Sequence, residues 1–269
     1  MGKDPSTLSL SPTKVDTFFG CRRLFKYNYL LPPFPPPPNR YFLIGNIAHK
    51  ALELFHSNDR LTHLRGKKQL KRMRAVMSES FKKAVYKYHA YREIKKGIIS
   101  TDDLYAIREM LLKYLRYIKS TSFPSVLHVE RLARFKIDGI PISMKADRID
   151  HIGHKAYRIV DYKSGRAATK RAELQSVQLP TYGIWIASLY PDAKEIVGEY
   201  IYLKELGSRN GTHEHTITTA MMEEAKDKFR EVRRLLTNGC EFMQNFKYKY
   251  CNFCDYRRYC LEDENNGFP

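Results

Sequence analysis

Residues 130 to 163 constrain this chain more than any other stretch, because two short turns fix the register of three strands together. Val129 to Ile137 reads as a strand and runs into Asp138-Gly139, the dipeptide that favours a two-residue hairpin loop. Ile140 to Ile149 forms a second strand, Gly153-His154-Lys155 a second turn, and Tyr157 to Lys163 a third strand. A loop centred between Asp138 and Gly139 sets Glu130 opposite Asp147. A loop centred on His154 sets Asp147 opposite Asp161. Three carboxylates then share one rung, with neighbouring Cβ atoms about 4.5–5.5 Å apart. Lys163, two residues beyond Asp161, points to the same face because strand side chains alternate. Like charges placed side by side are destabilising unless a cation sits among them. A carboxylate row beside a lysine therefore suits a divalent metal that activates water next to a phosphate.

Charge supports a polyanionic partner. The 269 residues carry 47 Lys and Arg against 29 Asp and Glu, a formal net charge of +18. That balance in a chain with 43% hydrophobic residues describes a globular protein with nucleic acid as its expected partner. Much of the excess lies between 61 and 119, which reads as helical and runs through Lys67-Lys68, Lys71-Arg72 and Lys95-Lys96. No apolar run reaches membrane-span length and the N-terminus lacks a signal-peptide layout, so a cytoplasmic location is expected.

Around the strands the chain reads mainly as helices. Ser11 caps a first helix with Pro12 at its first position, running through Cys21-Arg22-Arg23-Leu24-Phe25 to Tyr27. Leu31 to Pro38 holds six prolines and reads as a stiff connector. A second helix begins near Ile44, with Ile44, Ile47, Ala48, Ala51, Leu52 and Phe55 as its buried stripe and His49 close to it. Ala172 to Leu189 reads as one helix kinked or begun at Pro180, with Gln178 and Tyr182 on one face. Glu195 to Leu203 is a further strand, and Thr218 or Thr219 caps an amphipathic helix to about Leu236.

Of five cysteines, Cys251, Cys254 and Cys260 form a C-x2-C-x5-C cluster. A metal site needs a fourth ligand, which spacing allows to be Cys21 or Cys240. Zinc sites of four cysteines usually come as two close pairs, whereas an iron–sulfur cluster accepts a distant fourth ligand.

Five motifs in order resemble the RecB-like branch of the PD-(D/E)XK nucleases, in particular those with an iron–sulfur staple such as the AddB nuclease domain and the CRISPR-associated RecB-like nucleases. These are Gly45-Asn46-Ile47-Ala48-His49, Asp147 before its hairpin, Asp161-Tyr162-Lys163, Gln178-Leu179-Pro180-Thr181-Tyr182, and the early Cys21 with the late C-x2-C-x5-C. One departure is Met144, where the family often has glycine three residues before its first Asp. The resemblance implies an α/β fold with a restriction-endonuclease-like core, a mixed central sheet flanked by helices. It also implies one nuclease domain over 1–269, with a helical lobe at about 50–120, the core sheet at about 125–205 and a cysteine-stapled C-terminal part at about 215–262. By the same resemblance Asp147, Asp161, His49 and the Tyr162 carbonyl bind Mg2+ or Mn2+, with Glu130 in support. Lys163 orients the attacking water, Gln178 and Tyr182 position DNA or Lys163, and Cys21, Cys251, Cys254 and Cys260 hold a [4Fe-4S] cluster. The expected activity is a metal-dependent DNA nuclease acting on single-stranded DNA, an exonuclease in recombination, repair or CRISPR adaptation. The competing readings are a non-catalytic iron–sulfur DNA-binding subunit and a zinc-stapled duplex endonuclease.

Overall fold

A computed structural model describes residues 4–31, 39–58, 61, 66–121, 123–248 and 251–266. Among the described residues a five-stranded sheet runs in the order β1-β2-β3-β4-β5. The strands are β1 (Val126–Ile137), β2 (Ile140–Gly153), β3 (Ala156–Lys163), β4 (Glu195–Tyr202) and β5 (Thr212–Thr216). Neighbours are antiparallel except β3 and β4, which are parallel. Such a pair needs a crossover, supplied by α7 (Lys170–Gln175) and α8 (Gln178–Leu189).

Both hairpin registers agree with the turn arithmetic. Val129↔Arg148 and Arg131↔Ala146 flank the Glu130–Asp147 rung. Arg148↔Val160 is the last pair of the β2–β3 ladder before Asp147 and Asp161. The second turn is one residue tighter than expected, because an irregularity between His151 and Gly153 pairs Gly153 with Ala156. Asp138, φ +49, and Gly139, φ +80, both adopt the left-handed conformation that the first turn demands.

Helices cover the sheet on both faces. α3 (Arg40–His56) is capped by Asn39, whose side-chain oxygen accepts the Tyr41 and Phe42 amides at 2.9 and 3.2 Å. That cap starts the helix a turn before the expected Ile44. Every residue of its expected stripe is buried, packed with Met73, Met77, Ile107 and Leu111 of the helical lobe and with Val160 and Tyr162 of β3. The lobe consists of α4 (Gly66–Lys87), α5 (Ala90–Lys95) and α6 (Thr101–Thr121). Truncating a fully buried member such as Leu52 to Ala removes about 2–5 kcal/mol. A second core joins Ile149 and Ile159 to Leu179, Tyr182 and Trp185 of α8, and includes Met144. A third packs α1 (Pro12–Gly20) and α9 (Thr219–Asn238, capped by Thr218) around the first hairpin.

Three expectations need correction. The first helix does not continue to Tyr27: α1 stops at Gly20, Cys21 is extended (φ −159°), and α2 (Arg22–Phe25) leads into a π-helical turn, Lys26–Leu30. A Cβ at Gly20 would lie 2.6 Å from the Tyr248 ring, so long-range packing, not propensity, marks that break. The stretch from Ala172 to Leu189 is two helices, with Pro180 in the first turn of α8, where its missing N–H costs nothing. β5 is an addition that carries the sheet beyond the expected end near 205. The expected proline-rich connector, 32–38, lies outside the described residues. No described helix is long and apolar enough to cross a membrane.

Candidate active site

The end of β3 nearest Lys163 gathers most of the residues singled out above. Asp147 Oδ1 lies 3.3 Å from His49 Nδ1, and its Oδ2 accepts the Tyr162 amide at 2.8 Å. The β2–β3 ladder stops at Arg148, so the Asp147 side chain takes a hydrogen bond that a neighbouring main chain would otherwise take. His49 reaches this point because α3 lies close against the chain that follows β3. A Cβ on Gly45 would meet Ser164 Oγ at 3.2 Å, which gives the glycine of Gly45…His49 a packing reason.

Asp161 is held from the other side. Its Oδ1 accepts Gln178 Nε2 at 2.7 Å, and Lys163 Nζ stands 2.6 Å from its Oδ2. Lys163 Nζ donates to Gln178 Oε1 at 3.1 Å and lies over the Tyr200 ring. Gln178 Nε2 also donates to the Tyr182 hydroxyl at 3.1 Å, which donates to the Lys145 carbonyl at 3.0 Å. Gln178 and Tyr182 thus brace Asp161 and Lys163 through one helical face of α8.

The expected rung is divided. His49, Glu130 and Asp147 offer ligand atoms all within 4.8 Å of one another, and the Asp161 carboxylate is not part of that group. Glu130 sits at φ +50°, a left-handed conformation inside a strand that a non-glycine residue adopts only when its surroundings enforce it. Its carboxylate is paired with Lys145, a residue the sequence reading passed over. Lys145 lies two residues before Asp147 on the same strand, so side-chain alternation was the signal that could have found it.

Electrostatics separate the two aspartates. Burial alone would raise the Asp147 carboxyl, but the His49 ring, the Tyr162 amide and Lys163 together hold it below the ordinary value. Asp161 is pushed up by burial and by the Asp147 charge, against the pull of Lys163. Burial would lower His49 and Lys163, yet the facing carboxylates raise both. Asp161 Oδ2 is buried and has no well-directed hydrogen bond, although the Lys163 ammonium is close. A buried carboxylate oxygen with spare acceptor capacity, beside three converging carboxylate and imidazole donors, fits a divalent cation.

The Tyr162 hydroxyl points away from this site, while its ring meets His49 edge-on with centroids 6.1 Å apart. Its hydroxyl accepts from Arg148 Nη1 at 2.5 Å and lies 2.9 Å from the Tyr114 hydroxyl, within a buried network that includes Asp150 and His56. Only the Tyr162 backbone faces the carboxylates. Elsewhere, Cys21, Cys251, Cys254 and Cys260 line one small cavity of about 30 Å3. Cys240 packs instead against the core of α1 and α9. Among the described residues no three thiols come within 4.8 Å of one another.

One solved structure agrees with the fold. A crystal structure of a candidate exonuclease from Eubacterium rectale superposes with a TM-score of 0.52 at 10% identity, covering 93% of this chain and 87% of that one. A second solved structure, SSO0001, matches at 16% identity over 82% of this chain and 95% of that one, with a TM-score of 0.37 that is too low to bear on the fold. No curated protein matches. The model of the PD-(D/E)XK nuclease superfamily matches residues 9–261, which span the sheet, the helical lobe and the cysteine-rich end. The chain belongs to the PD-(D/E)XK nuclease superfamily, a family of metal-dependent nucleases.

Proposed function

We propose that this protein is a Mg2+- or Mn2+-dependent deoxyribonuclease that trims single-stranded DNA from an end. The observation that carries the reading is the paired arrangement at β3: a buried Asp161 oxygen with spare acceptor capacity, next to the His49–Glu130–Asp147 group and 2.6 Å from Lys163 Nζ. Asp147, Asp161 and His49 are the proposed metal ligands, with Glu130 in support. The Tyr162 carbonyl joins them, since the N–H and C=O of one strand residue point to the same side and the N–H already meets Asp147. A bound divalent ion supplies Lewis acidity toward a phosphate oxygen and a lowered pKa for water. Lys163 orients the attacking water and offsets charge on the phosphate, while Gln178 holds Lys163 and Asp161 in fixed relation. An imidazole in the set favours Mn2+ over Mg2+ in affinity.

Single-strand preference is supported by Phe42. It lies three residues before Gly45 and seven before His49, hence on their face of α3, and is 69% exposed. A ring there can stack on an unpaired base. Lys71, Arg72, Arg74, Lys82 and Lys83 are exposed on α4 and suit the DNA backbone. The chain is read as one nuclease domain. Its ends are joined by a [4Fe-4S] cluster on Cys21, Cys251, Cys254 and Cys260, closing a loop of about 230 residues.

Incubation of end-labelled single- and double-stranded DNA with Mn2+, Mg2+ or chelator tests the proposal. The expected result is metal-dependent shortening of the single strand from an end. Cleavage of the duplex alone, or none with either metal, overturns it. Cys21→Ala is expected to cost cluster absorbance near about 400 nm and thermal stability, and Cys240→Ala to cost neither; the opposite pattern exchanges their roles.

A further inference from the structure

A second cavity, of about 600 Å3, adjoins the carboxylates. Lys163 and Gln178 line it, and both also contact Asp161, so cavity and active site share a wall. Its volume falls in the range of small-molecule sites. Its other walls are aromatic: Phe19, Tyr200, Tyr202 and Tyr248. Phe19, the next-to-last residue of α1, leaves half of its surface exposed beside this space. The Tyr248 ring lies against Gly20, where a Cβ would approach it to 2.6 Å, so glycine at this position is what lets the ring close the wall. The floor is rigid, since the Asp16 carboxylate accepts the Ser176 hydroxyl at 2.6 Å and the Val177 amide at 3.1 Å.

Charges of both signs line this space: Lys163 and Lys228 together with Asp16 and Glu173. The Glu173 oxygens are already taken by His213, His215 and the Tyr202 hydroxyl, so the carboxylate leaves the wall to the rings beside it. Lys163, on the wall shared with the carboxylates, can hold a phosphate there. The rings offer faces for stacking a base. We propose that this cavity is a nucleoside subsite, which takes the base and sugar next to the scissile phosphate and stacks the base on Phe19. The inference rests on the nuclease reading above and adds to it a base-contacting residue outside the metal site. It also explains why unpaired DNA is the substrate: a base enters such a cavity only when it has left a duplex stack.

Binding that does not depend on cleavage separates the two readings. Anisotropy measurements with Asp161→Ala protein compare a labelled single strand with strands abasic at the 5′ end, the 3′ end or the centre. One abasic position is expected to weaken binding roughly tenfold, the worth of one stacked base. Phe19→Ala in the same background is expected to erase that penalty, and Phe19→Tyr to restore it. Tyr248→Leu serves as a second wall variant should Phe19→Ala lower the melting temperature. The proposal is overturned if no abasic position costs affinity, or if the penalty survives loss of the Phe19 ring. Failure of wild-type protein to cleave any DNA with Mn2+ would sink the nuclease reading instead, and the binding result would still stand.

Discussion

Two charged assemblies sit one residue apart along the same strands, and they are built in opposite ways. Arg148 and Tyr162 belong to a buried network with Asp150, Tyr114 and His56. There Arg148 donates to both Asp150 oxygens at 2.8–3.1 Å and to both tyrosine hydroxyls. Asp147, the residue just before Arg148, faces His49 and Glu130, and Asp161, just before Tyr162, faces Lys163 and Gln178. That assembly keeps a buried oxygen without a directed hydrogen bond and a glutamate in a left-handed conformation. In the first network the Arg148, Asp150 and tyrosine groups are all paired and only His56 Nδ1 is left without a partner; paired groups fix structure, whereas a spare carboxylate oxygen holds capacity for a ligand. The contrast shows how one pair of strands serves both purposes, by alternation alone.

The comparison breaks first at Asp161. Asp161→Ala or Lys163→Ala is expected to lower metal-dependent cleavage by on the order of 10^3- to 10^4-fold while the melting temperature stays level or rises. A large loss of stability would place Asp161 with the structural network. Arg148→Met reverses the pattern, costing about 3 kcal/mol or more in denaturant unfolding because Asp150 is left buried and unpaired. Per folded molecule, cleavage should stay near wild type.

Smaller effects sharpen the distinction. His56 is held neutral, mainly by burial and then by the Arg148 charge, well below its ordinary value of 6.5. The unfolded chain therefore takes up this proton first as pH falls. The stabilisation is complete above 6.5 and is lost below it, by up to about 1.4 kcal/mol per pH unit. Thermal melts between neutral and mildly acidic pH should show that slope, and His56→Gln should flatten it. Glu130→Gly releases the left-handed strain and is expected to raise stability by about 1 kcal/mol while weakening Mn2+ binding measured by calorimetry. Weaker metal binding without any gain in stability would mean that no strain was stored there.

Much of this site could be read in the sequence, because its parts are local. Two turns set the register of Glu130, Asp147 and Asp161, and a four-residue step put Gln178 above Tyr182; the place of His49 came from the family resemblance of Gly45…His49 and not from its helical stripe. What escaped depends on partners distant in the chain. The break at Gly20 depends on Tyr248, and the left-handed Glu130 on its setting against His49 and Lys145. Arg148 and Asp150 look like ordinary surface charges in sequence until α6 and α3 cover them. β5 was missed because Thr-His-Glu-His-Thr carries no apolar alternation; its His213 and His215 are buried between the Glu173 carboxylate and the rings of Tyr202 and Tyr200.

That last knot has a mechanical consequence. Glu173 accepts from His213 Nδ1 and His215 Nε2, each at 2.7 Å, and from the Tyr202 hydroxyl at 2.5 Å. It pegs the crossover segment midway between Lys163 and Gln178 to the outermost strand of the sheet. The spacing of the two residues that grip Asp161 is thereby referenced to a single anchor. Through Glu173 the last strand of the described sheet and the crossover that joins Lys163 to Gln178 are tied into one unit, so a shift of that border strand would be felt in the crossover.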